Sequence, residues 1–418
     1  MHRAKFASYE EACDFLFNQL PFYQRQGPKA LKFDLSNIIK LMTALGNPHS
    51  RFKSIHIAGT NGKGTTAHLL SAAFQSAGYK TGLYTSPHFK DFRERIKLNG
   101  TLLDKTFLFE FMNKHFRIID ELKPSYFELS VAMAFEYFAV QKVDIAIIEV
   151  GLGGRLDSTN IILPMLTVIT NISLDHTQTL GEDLPTIARE KAGIVKEKIP
   201  LVIGEKQQET TQVYQEITEK KNAPLYFAED ISSPNPIEPG QELHTVGPFF
   251  EKNIRTAKAA LLVFKKYHPE WHLSDQKINE GLKNFQQLTD YLGRWSILGK
   301  DPLIVADGAH NIGAWEATTQ YLEKIKTGNL HIVLGFVFDK TIEQILELLP
   351  TTANYYFCHA DIPRALNSTD LKEKASQYGL IGKAYPTVAE ALKMAKSKAD
   401  RSDLIFVGGS IFVAGEIL

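Results

Sequence analysis

Lys63 stands between two glycines and ahead of two hydroxyls, in Ile55-His56-Ile57-Ala58-Gly59-Thr60-Asn61-Gly62-Lys63-Gly64-Thr65-Thr66. An apolar run enters a glycine-rich turn, and a strong helix former, Ala67-His68-Leu69-Leu70-Ser71-Ala72-Ala73-Phe74, follows at once. Backbone N–H groups in such a turn, with the positive end of the next helix, make a socket for phosphate. Lys63 reaches the outer phosphates, and the Thr65 or Thr66 hydroxyl reaches a magnesium ion. Asn61, Gly62, Lys63, Gly64 and Thr65 are therefore the expected contacts of a nucleoside triphosphate. The wording departs from the common G-x-x-x-x-G-K-[ST] loop, because Ile57 holds the place of its first glycine and Gly64 follows the lysine.

Further along, Glu149 closes the apolar run Val143–Ile148 and precedes Gly151-Leu152-Gly153-Gly154-Arg155-Leu156-Asp157-Ser158. A carboxylate at the carboxyl end of a buried parallel strand is well placed to hold magnesium near phosphates. Asp175 and His176 follow the apolar run Leu166–Thr170 in the same way. Magnesium prefers oxygen, so spacing alone does not make a ligand of His176. In Arg189-Glu190-Lys191-Ala192-Gly193-Ile194, Glu190 and Lys191 read from the residues as surface charges of a helix.

These residues need a scaffold that gathers them. Short apolar strands are expected at Ser54–Ala58, Thr81–Thr85, Val143–Val150, Leu166–Asn171 and Leu201–Gly204. Helices are expected at Tyr9–Leu20 (opened by a Ser8–Glu11 capping box), Thr65–Ala77, Asp104–Leu122, Glu128–Gln141 and Leu184–Lys196. Alternation of this kind implies a largely parallel sheet with ligands at the strand carboxyl ends. A proline-rich loop at Ser232–Gly240 and helices near Asn253–Tyr267 and Asp275–Phe285 come next. A fresh alternation then begins, with strands at Leu303–Ala306, His331–Leu334, Asn354–Cys358 and Leu404–Val407. The fold class is thus α/β, an ATPase-like phosphate-loop domain over 1–297 and a smaller Rossmann-like α/β domain over 298–418.

The composition fits. At 418 residues the chain exceeds what one core usually serves. Its 47 basic and 47 acidic residues cancel, leaving no global field for nucleic acid or an anionic membrane. Cys13 and Cys358 read as free thiols of a reducing compartment. With no secretory signal and no membrane-length apolar run, a cytoplasmic protein is expected; a monomer is expected as well.

The Gly59–Thr65 loop resembles that of the Mur ligase superfamily, ATP-dependent enzymes that join an amino acid to a carboxylate. With glycine after the lysine it is most similar to the dihydrofolate synthase/folylpolyglutamate synthase branch. Other segments match that branch in order: Leu83-Tyr84-Thr85-Ser86-Pro87-His88 through Arg95 to Gly100, Ser125-Tyr126-Phe127-Glu128, the Glu190-Lys191-Ala192-Gly193-Ile194 run and Asp307-Gly308-Ala309-His310-Asn311. The resemblance implies ATP and Mg2+, with two metal sites served by Ser86, Glu149, His176 and a carbamylated Lys191. It implies a pterin-bearing substrate, dihydropteroate or a reduced folate, held by Ser125, Tyr126, Phe127, Glu128, Leu156, Asp157 and Ser158. L-Glutamate is the implied partner substrate. It gives Asn253, Arg294 and Asp307 to ATP across a domain cleft and counts His310, with Lys63 and Lys191, among the catalytic groups.

Three positions depart from the family pattern. Phe250 replaces a frequent glutamine before Asn253, Trp295-Ser296 follows Arg294 where glutamate is usual, and Gly409 replaces a frequent serine. Other readings stay open: a folylpolyglutamate synthase without the dihydrofolate synthase activity, a Mur-type cell-wall ligase, or an ATP-switched binding protein. The cell-wall reading is weakened because only about fifty residues precede the loop, too few for the extra nucleotide-binding domain of such enzymes.

Overall fold

A computed structural model describes residues 5–21, 34–231, 247–338 and 342–418; the loop read at Ser232–Gly240 lies outside them. The described residues fall into two units. One is drawn from Met1–Ile172, His176–Ile237 and Lys252–Asp290, the other from Ser173–Asp175, Glu238–Glu251 and Tyr291–Leu418.

In the first unit, β1 (Lys53–Ala58), β2 (Thr81–Tyr84), β3 (Ile96–Leu98), β4 (Thr101–Leu102), β5 (Ile145–Glu149), β6 (Leu166–Ile169), β7 (Leu201–Ile203) and β8 (Leu225–Phe227) form one sheet. Their order is β4-β3-β2-β5-β1-β6-β7-β8. From β2 to β8 every pairing is parallel, while β3 and β4 add an antiparallel edge. The central strands are apolar along their whole length because both faces are covered: β5 and β6 are buried at every residue. Register places Ile57 opposite Glu149, and Ala58 opposite Ile169. The carboxyl ends of β5, β1 and β6 therefore lie side by side.

The helix Lys63–Ser76 springs directly from β1, and its buried face runs without a break from Thr66 to Phe74. Such burial all round marks a helix enclosed by its neighbours rather than one lying on a surface. Phe74 meets Phe264 and Trp271 edge-on at 5.1 and 5.8 Å, and burying each Leu or Phe side chain is worth roughly 1.5–3 kcal/mol. His68, on this helix, bonds through Nδ1 to Thr289 Oγ1 at 2.7 Å. Lys97 on β3 donates to the carbonyls of Thr289 and Asp290 at 3.0 and 2.5 Å. The end of the first unit is thus held by two elements.

The second unit's sheet contains β9 (Ser296–Lys300), β10 (Leu303–Ala306), β11 (Leu330–Leu334), β12 (Asn354–Phe357), β13 (Gly382–Ala384) and β14 (Leu404–Gly408), in the order β13-β12-β11-β14-β10-β9. All are parallel except β9, which runs antiparallel to β10. Trp315, Phe336, Phe357 and Phe406 centre its core. On its central strand β11, His331 bridges Tyr356 Oη at 3.0 Å and Asp403 Oδ2 at 3.1 Å.

Details differ from the sequence expectations. The boundary expected after residue 297 falls inside β9, and the second unit takes up the chain at Tyr291. The helix expected to Lys196 ends at Lys191 and tightens into a 3₁₀ turn at Ala192–Ile194. At the first helix, Ser8 does cap Glu11 N–H, but the Glu11 carboxylate takes the Ala7 amide at 2.7 Å instead of closing the box. Cys13 and Cys358 are free thiols. Among the described residues no helix is long and apolar enough to cross a membrane.

Candidate active site

The phosphate loop is made by steric exclusion as much as by attraction. Gly62 caps the helix Lys63–Ser76 in the left-handed region, at φ 82°. A Cβ there would lie 2.1 Å from Asn253 Oδ1. Gly59 has φ 143°, and a Cβ would lie 1.9 Å from Thr170 Oγ1. Only glycine permits both the conformation and the approach. Asn253, on the helix Phe250–Tyr267, is buried and its amide abuts the loop. The first intrahelical bond runs from Thr66 N–H to Gly62 O, so the amides of Lys63, Gly64 and Thr65 lie ahead of the backbone ladder, where anions bind.

Two lysines converge on one carbonyl. Lys63 Nζ donates to Gly59 O at 3.0 Å and to Thr60 O at 3.1 Å. Lys191 Nζ, on a side chain only 4% exposed at its residue, donates to the same Gly59 O at 3.0 Å. Lys191 is therefore a loop residue in space, not the surface charge that its helix position suggested. Glu190, beside it, does face outward and pairs with Arg155 at 2.9 Å.

Glu149 is buried at the end of β5. Its Oε2 accepts the Ser86 amide at 2.9 Å and lies 3.5 Å from where a Cβ on Gly64 would sit. Ser86, Glu149 and the helix start are thereby brought together. His176 caps the short helix Thr177–Leu180 just past β6, in the left-handed region at φ 50°. Among the described residues no three His, Cys, Asp or Glu side chains cluster as a metal site. The expected set does not require such a cluster, since it has one glutamate and one histidine beside a serine and a modified lysine. A buried carboxylate beside a phosphate loop, with a serine next to it, is the oxygen-rich donor set that magnesium takes.

The expected substrate residues reach the same edge from the start of the helix Tyr126–Val140. Ser125 Oγ accepts the Glu128 amide at 3.2 Å and the Glu128 carboxylate accepts the Ser125 amide at 2.7 Å, a complete capping box. Phe127 lies against the turn after β5, its ring 2.3 Å from where a Cβ on Gly151 would be. Asp157 accepts from the Gly151, Leu152 and Thr159 amides at 2.9 to 3.0 Å. Burial raises its pKa, against the pull of those amides and the Thr159 hydroxyl. It holds the loop on which half-buried Leu156 and Ser158 stand.

Tyr126 is buried under Arg95, whose guanidinium carbon is 5.2 Å from the ring centre. Arg95 Nε donates to His88 Nδ1 at 2.8 Å. Burial, then the Arg95 charge, push His88 well below the usual histidine range, so it is a neutral acceptor. Neither residue was singled out by its type or spacing.

In the second unit, Asp307 follows β10. Its carboxylate accepts the Trp295 and Ala309 amides, each at 2.8 Å. Burial raises its pKa, opposed chiefly by the Arg294 charge. Arg294 lies alongside, its Nη1 3.1 Å from where a Cβ on Gly308 would be. His310 Nδ1 bonds Gly308 O at 2.8 Å and its Nε2 is 3.7 Å from Asp175 Oδ2, which also accepts from Asn311 Nδ2 at 3.0 Å. Trp295, where glutamate is usual, is a buried core residue packed edge-on against Tyr321. Phe250 is likewise buried. Gly409, at φ 103°, would put a Cβ 2.4 Å from Gly335 O.

A largely parallel sheet with a phosphate loop at its strand ends, followed by a second largely parallel sheet, is the arrangement expected of a ligase of the Mur type. Residues 57–235 match the Mur ligase middle domain and residues 293–411 the Mur ligase glutamate ligase domain. The chain belongs to the dihydrofolate synthase/folylpolyglutamate synthase family. It is 32% identical over 441 residues to the dihydrofolate synthase/folylpolyglutamate synthase of Bacillus subtilis, covering 99% of each chain. It is 31% identical over 436 residues to a probable bifunctional folylpolyglutamate synthase/dihydropteroate synthase of Haloferax volcanii, covering 98% of this chain but only half the length of that protein. The solved bifunctional folylpolyglutamate synthase/dihydrofolate synthase of Yersinia pestis, complexed with AMPPNP and manganese, superposes with a TM-score of 0.85 at 26% identity, covering 100% of this chain and 98% of that one.

Proposed function

We propose that this chain is an ATP-dependent ligase that joins L-glutamate to dihydropteroate, to a reduced folylpolyglutamate, or to each in turn. The observation that carries it is the meeting of Lys63 and Lys191 on Gly59 O, with Glu149 against Gly64 of the same loop. The Lys63 cation and the Glu149 carboxylate at a helix start, with Lys191 beside them, suit a triphosphate with its metal.

In this scheme a carboxylate oxygen of the acid attacks the γ-phosphorus of ATP. The bond to the bridging oxygen breaks, ADP leaves and an acyl phosphate remains. The α-amine of glutamate then attacks the acyl carbon, phosphate leaves and the amine gives up a proton. Asn61, Gly62, Lys63, Gly64 and Thr65 hold the phosphates, with Asn253 beside them; Arg294 and Asp307 are assigned to ATP by the family resemblance. Lys63 swings from loop carbonyls to the transferring phosphoryl group, and the work is mainly positioning and charge neutralisation.

Magnesium, at two sites among Ser86, Glu149, His176 and Lys191, would supply further neutralisation. Carbamylation of Lys191 fits its place, because carbon dioxide added to the neutral amine replaces an ammonium with an oxygen ligand. Ser125–Glu128 and Leu156–Ser158 form the pterin side, Phe127 offering its ring. His310, braced by Gly308 O and Asp175, is assigned to glutamate. The two free cysteines and balanced charge support a small-molecule enzyme of the cytoplasm.

The test is ADP release by purified protein with dihydropteroate and with tetrahydrofolate, side by side, with and without glutamate. Release that depends on glutamate with either acid is the expected result. ADP formation indifferent to glutamate would overturn the scheme in favour of an ATP-switched binding protein.

A further inference from the structure

Two amides of the phosphate loop already have partners. Thr60 N–H donates to Asn171 O at 2.9 Å, and Asn61 N–H donates to Asn171 Oδ1 at 2.9 Å. Thr170 Oγ1 meanwhile donates to Asn61 O at 2.6 Å. Thr170 and Asn171 lie just past β6, the strand beside β1. The backbone of the front half of the loop is thus tied to the protein, which leaves phosphate to the Asn61 side chain and the amides from Gly62 onward.

Asn171 is itself held. It is 8% exposed, and its Nδ2 donates to Glu205 Oε1 at 2.9 Å. Glu205 Oε2 accepts from Lys252 Nζ at 2.7 Å, and Lys252 precedes Asn253, whose amide abuts Gly62. The loop after β7 adds a second tie, because the Gln207 side chain accepts from Ile172 N–H at 3.0 Å and donates to Ile172 O at 2.8 Å. A closed circuit results, from Asn61 through Asn171, Glu205 and Lys252 to Asn253 and back to Gly62. Every member lies in the first unit.

From this circuit we infer that Asn171 is a positioning residue for phosphoryl transfer, oriented by Glu205, and that the pair sets the phosphate-loop conformation that ATP meets. An amide is required at 171 because it must accept from one neighbour and donate to another at once. Donation to Glu205 Oε1 fixes which end is oxygen, and that oxygen then faces Asn61 N–H. The side chain touches no reacting atom in this scheme; it acts through the loop. The inference rests on the ATP-dependent ligase reading above.

The charge pattern supplies its own test. In N171D a carboxylate oxygen would face Glu205 Oε1, two acceptors with no proton between them. In the double variant N171D/E205Q the amide is moved to the other side, and the same bond forms with its direction reversed. Lys252 can still donate to the amide oxygen at 205.

The measurements are the KM for ATP, the KM for glutamate, kcat and calorimetric binding of MgADP in the absence of both other substrates. N171D should raise the KM for ATP and weaken MgADP binding about tenfold, the scale of one buried polar group losing its partner. The KM for glutamate should stay within about twofold, and N171D/E205Q should recover most of the loss. A purely structural role predicts instead a lowered Tm with equal effects on both substrates, and that result overturns the inference. So does a double variant no better than N171D. Ligase activity of the unaltered enzyme is read in the same assay, so failure of the ligase reading itself shows separately.

Discussion

Two buried aspartates, one at each sheet's carboxyl edge, show how differently the two units build a site. Asp157 accepts from Gly151, Leu152 and Thr159, all within its own turn, so it folds one loop onto itself. Asp307 takes Ala309 from its own turn but reaches back to Trp295 for its second amide, next to Arg294. It therefore fixes where an arginine from the bend before β9 stands. Burial raises both pKa values, and only Asp307 has a cation as the main opposing influence. Asp157 thus shapes a loop through its backbone, whereas Asp307 aligns groups from separate segments.

The largest effect is expected at Lys63, the cation that the phosphate loop itself carries. Lys63→Ala should lower ADP formation by roughly 10²- to 10³-fold, the scale of losing one electrostatic stabiliser in a transition state. It should leave thermal unfolding nearly unchanged. Wild-type rates in that variant would remove the loop from the chemistry.

Next is the contrast between the aspartates. Asp157→Ala should cost about 1–3 kcal/mol of stability by stranding buried amides. It should raise the KM for the pterin substrate more than that for ATP. Asp307→Ala should do the reverse, since it frees Arg294. Identical kinetic profiles for the two variants would dissolve the distinction.

The smallest effect is a difference in acid sensitivity. Burial, reinforced by a nearby cation in each case, lowers the pKa of His56 to about 3 and those of His68 and His88 well below the usual range. Lys196, Lys97 and Arg95 are those cations. These rings stay neutral in the folded state, while the unfolded chain takes up protons below about pH 6.5. Their contribution is present above that pH and is lost progressively as pH falls.

All three histidines belong to the first unit. In the second, burial works to raise the Asp403 pKa, but the Asp400 and Asn329 amides and His331 hold it below its ordinary value. That contribution persists until pH drops below the carboxylate range. Hydrogen exchange followed residue by residue between pH 7 and 5 should therefore show protection falling first around β1 and the helix Lys63–Ser76. Earlier loss around β11 and β14 would refute the assignment.

Much of this was legible in the residues. The apolar runs gave β1, β5, β6 and β10 within a residue or two, because strands covered on both faces must be continuously apolar. The strands at the sheet edges, β4, β8, β9 and β13, and β3 next to one of them, were missed. They are two to five residues long and partly exposed, so neither length nor periodicity marks them. Lys63 and Glu149 announced themselves by position after an apolar run.

Lys191 came only through resemblance, since the helix pattern around it reads as solvent-facing. Asn171 left no signal at all. Its role depends on β6 lying beside β1, and strand order is a property of the folded sheet rather than of any local stretch.

The crowding around Gly59 and Gly62 has a consequence for inhibitor design. At either site, every substituent larger than hydrogen would collide with Thr170 or Asn253 before it touched a bound compound. An ATP-competitive molecule seated over these glycines would leave the enzyme few viable resistance mutations there. Steric escape would have to come from positions that the loop itself does not occupy.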